Sequence, residues 1–198
     1  MTSTEILKTE HRAIEVVLEC LARVAKQAEQ TDQLDTDTAA QAIEFLTRFV
    51  EARHHAKEER TFFPGLVAKG WPRDDGPIAV MLADHAEGRS LTRKMLIASD
   101  ETRRGVANRA ADFGSAAEAY VNLMRGHMRR EDLILFPRAD GALSSDDQAR
   151  LAAACEQADA NQDCAGGAAC TLELGRKLAE RFGVSTAAIA ALSCSCRT

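Results

Sequence analysis

The sequence predicts an all-α fold: an up-down-up-down four-helix bundle followed by a short, helical, Cys-containing C-terminal extension. Three observations predict it. Apolar residues recur every three or four positions in four successive segments, as they do along one face of a helix. Turn formers are scarce, with only 12 glycines and 4 prolines among 198 residues. The segments are separated by loops of roughly ten residues, a connectivity typical of helix bundles.

The first helix is predicted to begin after Thr2, because Glu5 completes a capping box with it. The polar stretch 30–38 ends this helix. Its buried face is expected to carry Leu7, His11, Ile14, Leu18, Leu21 and Ala25. The second helix is predicted to stop at Pro64-Gly65, since proline does not continue a regular helix. Its apolar stripe consists of Ala39, Ile43, Leu46, Val50, His54, Glu58 and Phe62.

The third helix is predicted to start at Pro77, because proline suits the first position of a helix. Its stripe consists of Ile78, Leu82, His85, Arg89, Thr92 and Leu96. The fourth helix is predicted to close at Pro137. Its stripe consists of Phe113, Ala116, Tyr120, Leu123 or Met124, His127, Glu131 and Ile134.

The C-terminal part of the chain has a different character. Ser144 with Asp147 predicts a capped helix start, and short helices are expected near 145–159, 172–182 and after Ser185. We therefore divide the chain into a bundle, 1–140, and a Cys-rich helical extension packed on it, 141–198.

Five of the six cysteines lie in this extension: Cys155, Cys164, Cys170, Cys194 and Cys196. Their spacing matches neither a zinc pair nor a ferredoxin run. Three interpretations stay open: a second metal site, a redox pair such as Cys164 with Cys170, or unrelated free thiols. Cys20 is expected to be a small buried residue.

Composition excludes several function classes. A net charge of −5 and a pI near 5.6 provide no basic surface, so a nucleic-acid partner is not expected. No apolar run approaches the ~20 residues of a membrane span. The first residues lack a basic segment followed by an apolar one, so we expect no signal peptide and a cytoplasmic location.

Four of the five histidines fall on the apolar stripes, one in each predicted helix: His11, His54, His85 and His127. Glu58 follows His54 by four residues, and Glu131 follows His127 at the same spacing, which places each pair on one helix face about 5–6 Å apart. In an up-down-up-down bundle all four imidazoles lie about 10–15 Å from the same end. Such a buried layer would leave polar atoms unpaired without a metal.

The donor types indicate which metal this layer would bind. Imidazole and carboxylate suit Fe, Zn, Cu or Mn, and the absence of cysteine from the layer argues against an iron–sulfur cluster. Four or five histidines with two glutamates exceed the ligands of one structural zinc. We therefore expect two Fe ions, oxo- or hydroxo-bridged, because an open ferrous pair can deliver two electrons to O₂ or peroxide.

At these residues the chain resembles the hemerythrin-like (HHE cation-binding) domain family of the bacterial type. The motifs that carry the resemblance are Glu10-His11, HHAKEERTFFP, DHAEGR and HMRREDLILFP, within roughly 1–140. The resemblance implies a non-haem di-iron site with Glu58 and Glu131 as bridging or capping carboxylates. It implies as terminal ligands His11, His54, His85 and His127.

The chain departs from the invertebrate oxygen carriers of this family in three places. Their second histidine of helix three is replaced by Arg89, which cannot ligate but could pair with a carboxylate, attract an anion or lie at the site edge. Their helix-four carboxylate corresponds to Asp132, whereas the echo between HHAKEERTFFP and HMRREDLILFP favours Glu131. His55 is favoured as a fifth nitrogen ligand, the alternative being that it flanks the site.

Tyr120 and Arg89 are the candidate catalytic residues. Tyr120, the single tyrosine, either packs in the core or presents its hydroxyl to the metal or bound oxygen. Glu15, four residues after the first helix's histidine, either reaches that ring or is solvated. Glu59 and Lys57 are expected to be solvated.

The function that we predict from these residues is reaction of the di-iron centre with a small oxidant, O₂, H₂O₂ or NO. Peroxide removal, by a catalase-like oxidoreductase, and reversible oxygen binding both fit. A non-enzymatic iron, oxygen or redox sensor that signals to a protein partner through the Cys-rich tail is the alternative, as is iron delivery or iron–sulfur repair. Ferritin-like storage is disfavoured, because those sites use Glu-x-x-His spacing.

Overall fold

The computed structural model describes the backbone of residues 1–163 and 167–195, and the side chains of 1–160 and 171–192. Within these ranges the chain is all-α. The α-helices are α1 Ser3–Thr31, α2 Thr36–Phe45, α3 Phe63–Val67, α4 Gly76–Arg103, α5 Arg109–Arg130, α6 Phe136–Ala142, α7 Ser145–Asp163, α8 Gly167–Phe182 and α9 Ala187–Ser195. Three π-helical segments join some of them: π1 Leu46–His55, π2 Glu58–Phe62 and π3 Glu131–Leu135.

The capping box that begins α1 is confirmed. The backbone N–H of Glu5 donates to the Thr2 hydroxyl (3.2 Å), and the Glu5 carboxylate accepts from the Thr2 backbone N–H (2.7 Å). Two backbone groups that a helix start otherwise leaves unpaired are thereby satisfied. His11 lies two turns further along the same helix.

The prediction that two helices stop at proline was wrong. The second helix continues through Pro64 to the end of α3, and the fourth continues through Pro137 to the end of α6. A π turn precedes each proline, and the backbone N–H of the residue before it bonds five residues back. Each proline thus occupies the first turn of a new α segment, where its missing N–H is not needed.

The four long helices of 3–142 surround one another in a closed cycle of contacts. α1 packs on α5, α5 on α4, α4 on α2, and α2 on α1. Neighbours in the chain are thus neighbours in space, and the first helix meets the last. The up-down-up-down order stays a prediction, and this cycle is the contact pattern that such a bundle requires.

A polar layer divides the apolar core in two. Towards one end, a cluster built around Leu7, Phe62 and Phe136 fills the interior. Towards the other, a larger cluster contains Ile14 and Val50. Each helix leaves one cluster and enters the other across its predicted metal ligands, so those ligands occupy the same level.

The extension packs against the bundle. Ser144 and Asp147 exchange hydrogen bonds at the start of α7, as predicted. Side chains of α8 and α9 join the larger apolar cluster: Leu172, Leu178, Ala179, Ile189 and Leu192. The division of the chain at 140/141 stays a prediction about domains. Within the described ranges, every helix is too short or too polar to span a bilayer.

Two cysteines have described side chains. Cys20 and Cys155 are both buried and free, which confirms the prediction for Cys20. The side chains of Cys164, Cys170, Cys194 and Cys196 lie outside the described residues. The three interpretations of the tail cysteines therefore stay predictions.

Gly114 lets α5 approach the backbone of α1. A Cβ atom at this position would lie 2.8 Å from the Ala25 carbonyl oxygen and 2.5 Å from Glu29 Cγ. We expect Gly114→Ala to lower the free energy of unfolding by about 1–3 kcal/mol, because backbone must move to admit the methyl group. Urea unfolding followed by circular dichroism measures it. Gly141→Ala is the control, since a Cβ there meets open space; equal stability of the two variants would contradict the expectation.

Candidate metal centre

The structure buries every side chain that the sequence predicts as a metal ligand and brings them together in the polar layer. Its members are His11, His54, His55, Glu58, His85, His127 and Glu131. None of the seven is more than 4% exposed. Five imidazoles and two carboxylates are therefore withdrawn from water at one level of the helical core.

The π turns help to aim these ligands. Glu58 and Glu131 each begin a π segment, and their carbonyl oxygens accept the N–H of Phe63 and Phe136. Wider i→i+5 turns of this kind occur frequently at functional sites. A wider turn also reduces the angle between successive side chains. The π1 segment ends at His55, and His54 and His55 both reach the layer although they are adjacent in sequence.

The ligand atoms form two clusters. The two-histidine cluster contains His11, His54, Glu58 and Glu131, and the three-histidine cluster contains His55, Glu58, His85 and His127. Within each cluster, all ligand atoms lie within 4.8 Å of one another. Each cluster could hold one metal ion, and Glu58 belongs to both.

Both carboxylates span the gap between the clusters. Glu58 Oε1 lies 3.3 Å from His54 Nε2, and its Oε2 lies 3.3 Å from His85 Nε2. Glu131 Oε2 lies 3.2 Å from the Nε2 atoms of both His11 and His127. Each carboxylate thus touches one imidazole of either cluster, which is the placement that a bridging ligand needs.

Every imidazole of the layer has an outer carboxylate on its Nδ1 atom. The Nδ1–oxygen pairs are His11–Asp132 at 2.9 Å, His54–Glu10 at 2.9 Å, His55–Glu51 at 3.1 Å, His85–Glu59 at 2.8 Å and His127–Asp84 at 3.2 Å. An ionised carboxylate can only accept, so each Nδ1 carries the proton. Each Nε2 then faces inward, the orientation that metal-ligating histidines require.

The inward atoms lack the partners that a dry interior demands. His55 Nε2 and both carboxylate oxygens of Glu58 and of Glu131 are buried without a hydrogen-bond partner. Such an atom costs about 1–3 kcal/mol. His11 Nε2 and His54 Nε2 lie 3.1 Å apart, a contact that only a proton or a cation between them makes attractive. Metal ions would satisfy all of these atoms, so the donor set fits them.

The charges of the layer favour cations. Burial by itself lowers the pKa of His11, but the hydrogen bond to Asp132 and the nearby Glu131 carboxylate together outweigh burial and raise that pKa to about 9. The pKa of His127 is raised to about 10, because the charge of Glu131 and the hydrogen bond to Asp84 likewise outweigh burial. Burial keeps the pKa of His55 well below its ordinary value. The carboxylates in and around the layer therefore favour positive charge within it.

The structure separates residues that the sequence left as alternatives. Glu131 lies inside the layer, whereas Asp132 is 39% exposed and contacts His11 from outside. Glu15 accepts a hydrogen bond from Arg125 (2.9 Å) and is 46% exposed. The inward carboxylate of the fourth helix is therefore Glu131.

Arg89 lies outside the layer. Its guanidinium donates to Glu51 and Glu59, the carboxylates that hold His55 and His85. Arg89 thus connects two outer carboxylates, and its contacts in the described part of the chain are with Glu51 and Glu59 rather than with Glu58 or Glu131. A catalytic role for it stays a prediction, and the described contacts favour a positioning role.

Tyr120 is buried and lines a cavity of about 270 Å³, whose wall also includes His55 and Arg89. Burial raises the pKa of its hydroxyl, so this group keeps its proton. The catalytic role of Tyr120 stays a prediction; the cavity lining that it shares with His55 is the described feature that links it to the layer.

Sequence reasoning missed most of the outer carboxylates. Glu51 precedes His55 by four residues, a local signal that was available. Asp84 pairs with a histidine of another helix, which sequence spacing cannot reveal. The prediction that Glu59 and Lys57 are solvated was wrong: Glu59 holds His85, and Lys57 is 2% exposed.

Glu131 and Asp132 offer a matched pair of variants. We expect Glu131→Gln to retain at most one ferrous ion per chain, because it removes a charged bridge between the clusters. Asp132→Asn should retain two ions with affinity lowered by about tenfold or more, as for other outer partners of metal ligands. Metal content after anaerobic gel filtration checks both. Two tightly held ions in Glu131→Gln would contradict the geometry.

Comparison with known proteins agrees with this site. The sequence profile of the hemerythrin HHE cation binding domain matches residues 2–139. Uncharacterized proteins of Mycobacterium bovis and Mycobacterium tuberculosis are 25% identical over 145 residues, 73% of this chain and 56% of their own length. The chain thus spans about half the length of these relatives. No solved structure gave a significant match. With all four of its motifs meeting in one buried layer, the chain belongs to the hemerythrin HHE cation-binding family.

Proposed function

We propose that this protein binds two carboxylate-bridged iron ions in the polar layer and uses them to react with O₂, hydrogen peroxide or nitric oxide. The family to which the chain belongs binds iron, and its His/Glu clusters could hold metal ions. The observation that carries the proposal is that Glu58 belongs to both ligand clusters. A pair of ions sharing a ligand follows from it more readily than two separate sites.

His11 and His54 would hold one ion, and His55, His85 and His127 would hold the other. Glu58 and Glu131, which belong to or contact both clusters, would be shared between the two ions. Because the two-histidine cluster has one nitrogen fewer, that side has room for an incoming oxidant. A ferrous pair would supply two electrons to O₂ or peroxide.

The surrounding residues hold the ligands and keep water out. The outer carboxylates keep a proton on each Nδ1, so that every Nε2 stays a lone-pair donor. Phe136 stacks against His11 with 5.6 Å between ring centroids, and Phe63 stacks against His85 at 6.0 Å. These rings belong to the apolar cluster below the layer. They protect a reactive centre from bulk water.

A sensor is the second candidate, and one contact favours it. Asp159 of α7 bonds Lys57, the residue next to Glu58. A change at the metal centre therefore has a direct route into the extension. Iron delivery and iron–sulfur repair stay predictions.

The iron stoichiometry tests the metal part of the proposal. Protein reconstituted anaerobically with ferrous iron should hold about two ions per chain and develop near-UV oxo-bridge absorption in air. His127→Ala should lose iron and keep its far-UV circular dichroism, because it removes one ligand and creates no charge. A colourless protein that holds a single zinc, or a His127→Ala variant with both irons, would refute the proposal.

Peroxide turnover separates enzyme from carrier or sensor. We expect the iron-loaded protein to evolve oxygen from added hydrogen peroxide and the metal-free protein to evolve none, measured with an oxygen electrode. Negligible turnover together with a reversible spectral change in O₂ would favour oxygen binding or sensing. Full iron loading without any spectral response to O₂, peroxide or nitric oxide would contradict the proposed reactivity.

A further inference from the structure

A group of four charged side chains lies beside His54, and one of them comes from the extension. This charge cluster consists of Glu10, Arg53, Lys57 and Asp159. The side chains of Glu10 and Lys57 are each 1% exposed, that of Arg53 is 5% exposed, and that of Asp159 is 21% exposed. Charges are rarely withdrawn from water to this extent unless they are paired.

The contacts form a chain that ends at a predicted metal ligand. Lys57 Nζ donates to both oxygens of Asp159, at 2.8 and 3.0 Å, and to Glu10 Oε1. The other oxygen of Glu10 accepts from His54 Nδ1 at 2.9 Å. Arg53 Nε lies 3.2 Å from Asp159 and 3.4 Å from Glu10. Asp159 is thus connected to His54 through Lys57 and Glu10.

Asp159 adds a negative charge to a cluster that contains two cations, Arg53 and Lys57. Removing that charge makes the cluster one unit more positive, in a poorly solvated position beside the two-histidine cluster. The added positive charge would repel a metal dication, and little water is present to screen it.

Asp159 also determines how Lys57 divides its hydrogen bonds. An ammonium group has three donors, and in this structure two of its contacts go to Asp159. If Asp159 were neutral, Lys57 would interact more strongly with Glu10 and compete with the N–H of His54 for its charge. Glu10 would then support the imidazole less well as a metal ligand.

Packing against the bundle fixes α7 next to the charge cluster. α7 packs on α1, π1 and π2, and Cys155, one turn before Asp159, is buried with Ile6 of α1. Residue 159 lies beyond the segment 2–139 that matches the family. The contact is therefore an addition outside the family's domain.

We propose that Asp159 is a positioning residue for the two-histidine cluster, acting through Lys57 and Glu10 on His54, so that the extension sets how tightly this cluster holds its ion. The inference rests on the proposed function, since it assigns a regulator to the same metal centre. It gives the extension a defined part in the site.

The test is an anaerobic titration of the full chain with ferrous iron against a ferrous chelator. In parallel, Mössbauer spectra of ⁵⁷Fe-loaded protein identify the two ions. We expect Asp159→Asn to weaken one of the two ions by about tenfold or more, as for outer partners of metal ligands, and to leave the other unchanged. Glu156→Gln is the matched control, because this exposed residue lies on the same helix; it should bind both ions like the unmodified chain.

A rescue distinguishes this role from simple docking of α7. Adding Lys57→Met to Asp159→Asn removes one positive charge along with the negative one, so the net charge of the cluster equals that of the unmodified chain. We therefore expect affinity for the weakened ion to return to within about threefold of the unmodified chain. Loss of helix docking would not be restored by removing a second contact of the same helix. Equal binding by Asp159→Asn and the unmodified chain, or no rescue by Lys57→Met, would overturn the inference.

A further variant applies if Asp159→Asn does not fold. Lys57→Met alone makes the charge cluster one unit more negative beside the two-histidine cluster. We expect this variant to bind one ion more tightly by about tenfold. Unchanged or weaker binding would overturn the inference. If the unmodified chain holds no iron pair, the proposed function itself fails. If it holds two ions that no variant affects, only the role of Asp159 fails.

Discussion

The centre of this protein depends on one repeated interaction, the hydrogen bond from an imidazole Nδ1 to a carboxylate. It occurs at all five histidines of the polar layer. Each bond places a proton on the outer nitrogen and turns the inner nitrogen toward the layer. Five inward nitrogens, and two carboxylates without hydrogen-bond partners, are costly in a dry layer that holds no cations. The same arrangement would weaken an apolar core but favours a metal site.

The backbone accommodates this layer by a local departure from α geometry. Glu58 and Glu131 each begin a π segment, and proline is at the second position of the helix that follows each of them. The second and fourth helices of the bundle therefore each carry predicted ligands, then a wide turn, then an apolar end, without a break in the helix. Phe62, Phe63 and Phe136 fill the space beneath the layer. Ligand placement and the exclusion of water thus come from the same short motifs.

The extension contacts both the apolar core and the charge cluster next to the polar layer. Its apolar side chains join the core of the bundle, and Asp159 contacts the charge cluster beside His54. The described helices of the extension thus pack against the bundle and bring a charge from outside the family's domain next to His54. The connection runs through buried charges, which interact strongly because little water screens them.

The sequence alone determined the all-α class, the family and which histidines and glutamates lie in the buried layer, because helical periodicity is local and places residues four apart on one face. His54 with Glu58 and His127 with Glu131 are examples. It could not determine that Asp84 accepts a hydrogen bond from His127 of another helix. Nor could it determine that Lys57 donates to Asp159, 102 positions further along the chain. Those contacts depend on how separate helices pack, and only the tertiary structure decides which side chains then meet.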